Sequence, residues 1–317
     1  MSEPLMMREA FGRVLVDLGR RYPDITVLDA DLASSTKACY FRDEFPDRFF
    51  QIGVAEQNMV GIAAGLAYAG LTPFVVTYAC FLCKRSLDQI RILIAQPKAN
   101  VKLIGCYSGL SSGLNGKSHQ AVQDIAIMRS MPNMRVIEPI DIFDMAHVLK
   151  AITVEAGPFY VRLVRGPTPT VFSENREILP RKGVFLRWGN DITLISTGTQ
   201  TIPVLEAADI LKAEGIHAGV LHVSWIKPID EKAVLKAARE SGIVMTIEEH
   251  NIIGGLGSAV AELLSEYHPV PLKRLGVKDS FGQTGSIGDL REKYGLAPMQ
   301  IASSARAFLR KKRKNIK

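Results

Sequence analysis

Cysteine is scarce in this chain of 317 residues: Cys39, Cys80, Cys83 and Cys106 are all it has. So few thiols exclude a disulfide-stapled scaffold and make reduced cysteines, and a cytoplasmic protein, the expectation. Cys80 and Cys83 form C-x-x-C, but no second pair accompanies them as a zinc site requires. With Phe81 and Leu82 between them, they do not read as a redox pair. Long apolar runs are missing too, since Gly, Pro or a charge breaks each one well short of a membrane span. The opening "MSEPLMMREAFGRVL" lacks the basic flank, apolar block and cleavage site of a signal peptide, and reads as an amphipathic helix over about residues 5–21. There is no Walker loop, no G-x-S-x-G elbow and no nucleic-acid-binding signature. The net charge of +7 does not replace one. Much of it sits in the tail, on Arg306, Arg310, Lys311, Lys312, Arg313 and Lys314, which reads as a solvated end. Neither nucleic acid nor membrane is an expected partner.

What is present is an ordinary globular composition, 47% apolar against 22% charged. Short apolar segments such as "ITVLDADL", "TPFVVTYACF", "VKLIGCYSG" and "PFYVRLVRG" alternate with helical ones such as "KRSLDQIRILIAQ" and "DMAHVLKAITVEA". That alternation predicts α/β domains built on parallel sheets buried on both faces. It fades in the Pro-rich, polar stretch that follows Arg165 and resumes at "DITLISTG". The expected division is a first domain over 1–170, a linker over 171–188 and a smaller α/β domain over 189–317.

In such sheets ligands gather where strands end. Those loops hold Asp29 and Asp31, Glu56, Tyr78 with Phe81, the segment from Asn115 to His119, and Arg162 with Arg165. Glu56 is the oddest of them. It heads "EQNMVGIAAGLAYAG", in which no charge appears from Met59 to Gly70. Either Glu56 caps a helix that enters a core, or it is a buried acid with a chemical task. Asp31 is equally open to a capping role, Phe81 to plain core packing, His119 to a structural role and Arg165 to a surface one. "GGLGSA" over 254–259 is an incomplete dinucleotide fingerprint, with Val at position 260, and tight packing of a strand-to-helix turn explains it as well.

The combination decides more than its parts. "DADLASST", "IGVAEQNM", "TYACFLCKRSLDQIR", "GKSHQAVQDIAIMRSMPNMRVIEP" and "GPFYVRLVRG" occur in this order along nearly the whole chain. In this the chain resembles the C-terminal half of transketolases, a pyrimidine-binding domain followed by the family's C-terminal domain. The resemblance implies thiamine diphosphate as cofactor, with Glu56 hydrogen-bonding its aminopyrimidine ring and sharing the proton that activates it. Such a role suits a carboxyl in an apolar wall, where the charged form is disfavoured. By the same resemblance Phe81 stacks on that ring, Tyr78 flanks it, and Asp31 and Leu32 approach the cofactor from across the boundary between two chains. Arg8, Ser35 and Arg165 match the residues that hold a sugar phosphate, and a sulfonate suits the same guanidinium forks. His119 matches the histidine near the reacting carbonyl.

Two positions depart from the family. Asn115 stands where an aspartate contacts a sugar hydroxyl, and Tyr107 where a histidine is often found. The family's Mg²⁺ and diphosphate motif, G-D-G, is absent. The resemblance therefore implies no metal ligand in this chain and a separate N-terminal subunit that holds Mg²⁺ and the diphosphate. Two copies of each, a heterotetramer with this chain self-associating as a dimer, are expected. The implied activity is transfer of a two-carbon ketol unit from an anionic ketose to an aldose. Alternatives are the beta subunit of a 2-oxo-acid dehydrogenase and a non-catalytic assembly subunit of the same fold.

Overall fold

The computed structural model describes residues 5–315. Its strands in chain order are β1 (Leu5–Met6), β2 (Ile25–Asp29), β3 (Phe49–Gln51), β4 (Thr72–Tyr78), β5 (Lys102–Cys106), β6 (Arg135–Ile137), β7 (Phe159–Leu163), β8 (Pro167–Thr168), β9 (Val184–Arg187), β10 (Ile192–Ser196), β11 (Ala218–His222), β12 (Trp225–Lys227), β13 (Val244–Asn251) and β14 (Leu272–Val277). Seven of them form one sheet in the order β12-β6-β7-β5-β4-β2-β3, and five form another in the order β14-β13-β10-β11-β9. Both are parallel except at one edge, where β12 pairs antiparallel with β6 and β9 with β11. Two parallel-dominated α/β sheets are thus what the alternating pattern predicts.

The central strands β2, β4, β5 and β7 are buried at every position, because helices cover both faces of the first sheet. Successive side chains point to opposite sides. Val27, Phe74, Val76 and Val161 meet Phe11 and Leu15 of the helix Met7–Arg21 and Met145 and Leu149 of the helix Ile142–Val154. Leu28, Val75, Leu103 and Tyr160 meet Met59, Val60 and Ala63 of the helix Glu56–Tyr68, with Ile90 and Ile94 beyond. Apolar runs with no polar alternation are therefore central strands here, and the uncharged helix that follows Glu56 is a core helix.

Several boundaries differ from the sequence expectation. Residues 5–6 are not helical but pair with Pro167–Thr168. The strand ending at Tyr78 gives way at once to a helix over Ala79–Arg85, so Phe81 is helical, and a π-helical turn over Ile90–Ala95 breaks the long helix expected after it. The stretch 171–188 ends in β9, a strand of the second sheet. At the C-terminus the helix Pro298–Asn315 carries its backbone through the basic segment. The side chains of Lys312, Arg313 and Lys314 lie outside the described residues. No helix among the described residues is long and apolar enough to cross a membrane.

The two sheets are joined through buried charge. The Arg162 guanidinium, on β7, donates to Asp124 at 2.7 and 3.1 Å, to Glu138, to the Ala121 carbonyl at 2.7 Å and to the Glu249 carbonyl of β13 at 3.3 Å. Arg162 thus serves the core between the sheets and not the strand-end loops. Burial pushes the Glu138 carboxyl up to about 7 in spite of that partner.

Candidate active site

The candidate residues collect at one edge of the first sheet, past the carboxyl ends of the neighbouring strands β7, β5, β4, β2 and β3. After β2 the chain turns through Asp31 at φ 61°, a left-handed conformation. Gln51, at the end of β3, fixes this turn. Its side-chain carbonyl accepts the Asp31 and Gly53 N–H groups at 2.8 and 3.0 Å, and its amide donates to Asp29 at 2.8 Å. The Leu32 N–H donates to the same Asp29 carboxylate, at 2.9 Å. Asp31 itself is exposed and caps no helix among the described residues; Leu32 is the residue before the helical turn Ala33–Thr36.

Glu56 begins its helix but does not cap it, since Ala55 holds that place. Its side chain is 4% exposed and accepts a hydrogen bond from Arg85 Nη1 at 2.6 Å. An ion pair therefore replaces the purely apolar wall expected around this carboxyl. The same guanidinium lies 3.9 Å over the Phe81 ring. Phe81 is further flanked by Tyr78, near parallel with centroids 5.7 Å apart, and by His119, edge-on at 5.2 Å. His119 Nδ1 is 3.0 Å from the Ser118 hydroxyl.

From Phe81 the aromatic stack continues through Tyr78 to Tyr107, whose rings lie 4.1 Å apart at 22°. Burial pushes the Tyr78 phenol up. Tyr107 bridges two arginines. Its hydroxyl accepts from Arg8 Nη1 at 3.0 Å, and the Arg165 guanidinium lies 5.1 Å over its ring. Ser35 joins them through its carbonyl, 3.4 Å from both Arg8 Nη1 and the Tyr107 hydroxyl. The Arg8 Nε is buried without a partner among the described residues. Asn115 is exposed in the turn Gly113–Asn115 and contacts none of the other candidates among the described hydrogen bonds.

Sequence reasoning missed Arg85, Gln51 and the bridging place of Tyr107. Arg85 was within reach of it, because residues four apart on a helix share a face and Phe81 is four before it. The other two depend on contacts between distant strands, which no local spacing signals.

The Gly-rich motif left open has a plain structural use. The Glu248 carboxylate accepts the Leu256 and Gly257 N–H groups at 2.7 and 2.9 Å, so the start of the "GGLGSA" helix is already occupied. A Cβ at position 255 would sit 1.9 Å from a Glu248 oxygen, which is why glycine stands there. All four cysteines are free thiols. Burial pushes Cys80 up to about 11 and Cys83 well up, which makes both poor nucleophiles.

A carboxylate, an aromatic face and two arginines bridged by a tyrosine gather at the strand ends of a parallel sheet, the place where α/β proteins bind their ligands. Residues 3–170 match the family model described as transketolase, pyrimidine binding domain, and residues 181–301 the one described as transketolase, C-terminal domain. The chain belongs to the transketolase family. It is 40% identical over 306 residues to a 6-deoxy-6-sulfo-D-fructose transketolase subunit of Clostridium sp. (strain MSTE9), covering 96% of this chain and 95% of that protein. To an apulose-4-phosphate transketolase subunit of Phocaeicola vulgatus it is 36% identical, over 96% of this chain and 97% of the other. Among solved structures it is similar to a split gene transketolase described as an inactive beta4 tetramer, with 44% identity, a TM-score of 0.88, and coverage of 96% of this chain and 98% of that one.

Proposed function

We propose that this chain is the C-terminal subunit of a thiamine-diphosphate-dependent transketolase, which moves a two-carbon ketol unit from a ketose with an anionic end to an aldose. One observation carries the reading: Glu56, Phe81 and His119 lie beside an aromatic stack that runs through Tyr78 and Tyr107 to Arg8 and Arg165. The residues fit the cofactor's ring. A single planar group, the Arg85 guanidinium, already touches the Glu56 carboxylate and the Phe81 face together, so a flat ring bearing N–H donors suits the same place. When bound, thiamine diphosphate supplies the carbon nucleophile that attacks a ketose carbonyl and carries the two-carbon unit.

The protein's own tasks follow from its side chains. Glu56 takes a hydrogen bond from a ring nitrogen and can hold its proton. Phe81 supplies the stacking face and Tyr78 supports it. His119, edge-on to Phe81, exchanges a proton with the substrate's carbonyl or hydroxyl oxygens in this reading. Arg8 and Arg165, spaced by Tyr107, bind the anionic end, and the unpartnered Arg8 Nε is a donor left for it. Asn115 accepts from a sugar hydroxyl without adding charge. Mg²⁺ and the diphosphate are assigned to an N-terminal partner, because the sequence has no G-D-G. Asp31 and Leu32 face that partner, in an assembly of two copies of each chain. The similar split transketolase that is an inactive tetramer of one chain supports the need for a second.

The named relatives act on a sulfonated and a phosphorylated sugar, so both anions belong in the test. The chain should be co-expressed with an N-terminal-type transketolase subunit and screened with phosphorylated, sulfonated and uncharged ketoses against a set of aldoses. Ketol transfer favouring the charged donors is expected. A cofactor-loaded complex that decarboxylates a 2-oxo acid and transfers no ketol unit would replace this reading with the dehydrogenase one.

A further inference from the structure

We propose that Arg85 is a built-in stand-in for the ring that this site binds, and that its guanidinium must leave Glu56 and Phe81 before an aminopyrimidine takes its place. The inference rests on the thiamine reading above.

Two contacts identify the stand-in. Arg85 Nη1 donates to Glu56 Oε1 at 2.6 Å, and the guanidinium carbon lies 3.9 Å from the centre of the Phe81 ring. A guanidinium is flat, cationic and edged with N–H donors, and an aminopyrimidine that shares a proton with Glu56 has those same three properties. At 3.9 Å the group fills the stacking distance on the ring face that it covers, so a second plate cannot lie on that face beside it.

Of the three partners, only Arg85 is free to move. Glu56 is 4% exposed at the start of a core helix, and Phe81 is wedged by Tyr78 and His119. The Arg85 side chain, by contrast, is 44% exposed. Its backbone carbonyl is held by the Gln57 amide at 3.0 Å, so displacement needs only side-chain rotation. A cleft of about 580 Å³ opens beside it, lined by Gln57, Lys84, Asp88 and Arg91 among others. Asp88, three residues on, is exposed and already takes both Arg91 donors on its Oδ1, at 3.0 and 2.6 Å, which leaves Oδ2 as the oxygen for a displaced guanidinium. In this arrangement the Glu56 carboxylate is not left bare: the guanidinium leaves, and the neutral ring arrives with one proton taken up from solvent and held between its nitrogen and Glu56.

A half-exposed ion pair and a surface cation–π contact are each weak, so their combined loss should weaken ring binding by about 5- to 20-fold. Removing Arg85 should therefore tighten it. Titration calorimetry of thiamine diphosphate with Mg²⁺ on the complex with its N-terminal partner tests this, for the wild type, Arg85→Met and Arg85→Lys. Arg85→Met is expected to bind about 5- to 20-fold more tightly. Arg85→Lys should gain less, because an ammonium still pairs with Glu56 but cannot cover Phe81 as a plate. Circular dichroism monitors folding; should Arg85→Met fail to fold, the Lys variant decides alone. Unchanged or weaker binding in the folded variants overturns the stand-in. A wild-type complex that binds no thiamine diphosphate overturns the thiamine reading first, and this inference with it.

Discussion

Glu56 is the one charge at the head of a helix whose next dozen residues carry none, and it is buried and joined to Phe81 through the Arg85 guanidinium. Under the proposed function it exchanges a proton with the cofactor ring. Glu56→Gln should then lower turnover by about a hundred- to ten-thousand-fold while the variant folds and assembles normally. Steady-state rates of the purified complex check this, and retention of more than half the activity would remove Glu56 from the mechanism. Arg8 and Arg165 belong to the same scale. They meet through Tyr107, one by a hydrogen bond to its hydroxyl and one over its ring. Arg8→Ala and Arg165→Ala should each weaken the half-saturation of phosphorylated or sulfonated ketoses by about 2 kcal/mol, near thirtyfold, with little change for uncharged analogues. Equal losses for charged and neutral donors would make both arginines structural.

Among the elements, the helix Leu256–Tyr267 shows how a Gly-rich start can serve stability alone. Glu248 of β13 reaches its first N–H groups, and Gly255 leaves room for the carboxylate. Burial, the largest influence, pushes Glu248 up to about 7, against the pull of those two N–H donors. Unfolded, a glutamate ionises near 4.5, so between about 4.5 and 7 the folded chain holds a proton that the unfolded chain has lost. This group's contribution to stability therefore falls as pH rises through that window, by about 3 kcal/mol. Glu248→Gln stays neutral but offers one acceptor oxygen where the carboxyl offers two, so it keeps only one of these N–H bonds. It should be the less stable protein near pH 5 and gain on the wild type by about 3 kcal/mol by pH 8. Urea unfolding at the two pH values measures the difference. A constant gap between the two proteins would show that Glu248 does not titrate there.

At the scale of the whole molecule, two sheets with apolar cores of their own meet across buried charge. Arg162 ties β7 to β13, and β12 leaves the second half of the chain to extend the first sheet. A chain with this much buried core should fold without a partner, yet under the proposed function it holds only the ring end of its cofactor. Purified alone, it should be folded, oligomeric and inactive with thiamine diphosphate and Mg²⁺, and activity should appear when the N-terminal subunit is added. Calorimetry on the isolated chain is the check. Micromolar, Mg²⁺-dependent binding, or ketol transfer without a partner, would contradict the division of the site between two chains.

The sequence alone determined the architecture class, because a strand buried on both faces must be apolar throughout and a helix covering it must follow at a regular distance. It also pointed to the strand ends that carry Asp31, Glu56, Tyr78 and Arg165, since the carboxyl ends of parallel strands can be read from where each apolar run stops. It put Arg162 there as well, which the structure buries between the sheets. The tertiary structure decided what those residues touch. It turned Glu56 from an isolated acid into the partner of Arg85, and it left Asp31 exposed where a cap had been as plausible. It made Tyr107 the bridge between two arginines that lie 157 positions apart in the chain, Arg8 and Arg165. It also gave the Gly-rich turn to Glu248 and the edge of the first sheet to β12. The reason is physical: apolar periodicity is written locally, residue by residue, whereas an ion pair, a stacked ring or an edge strand depends on which distant segments the packed sheets bring within a few ångströms.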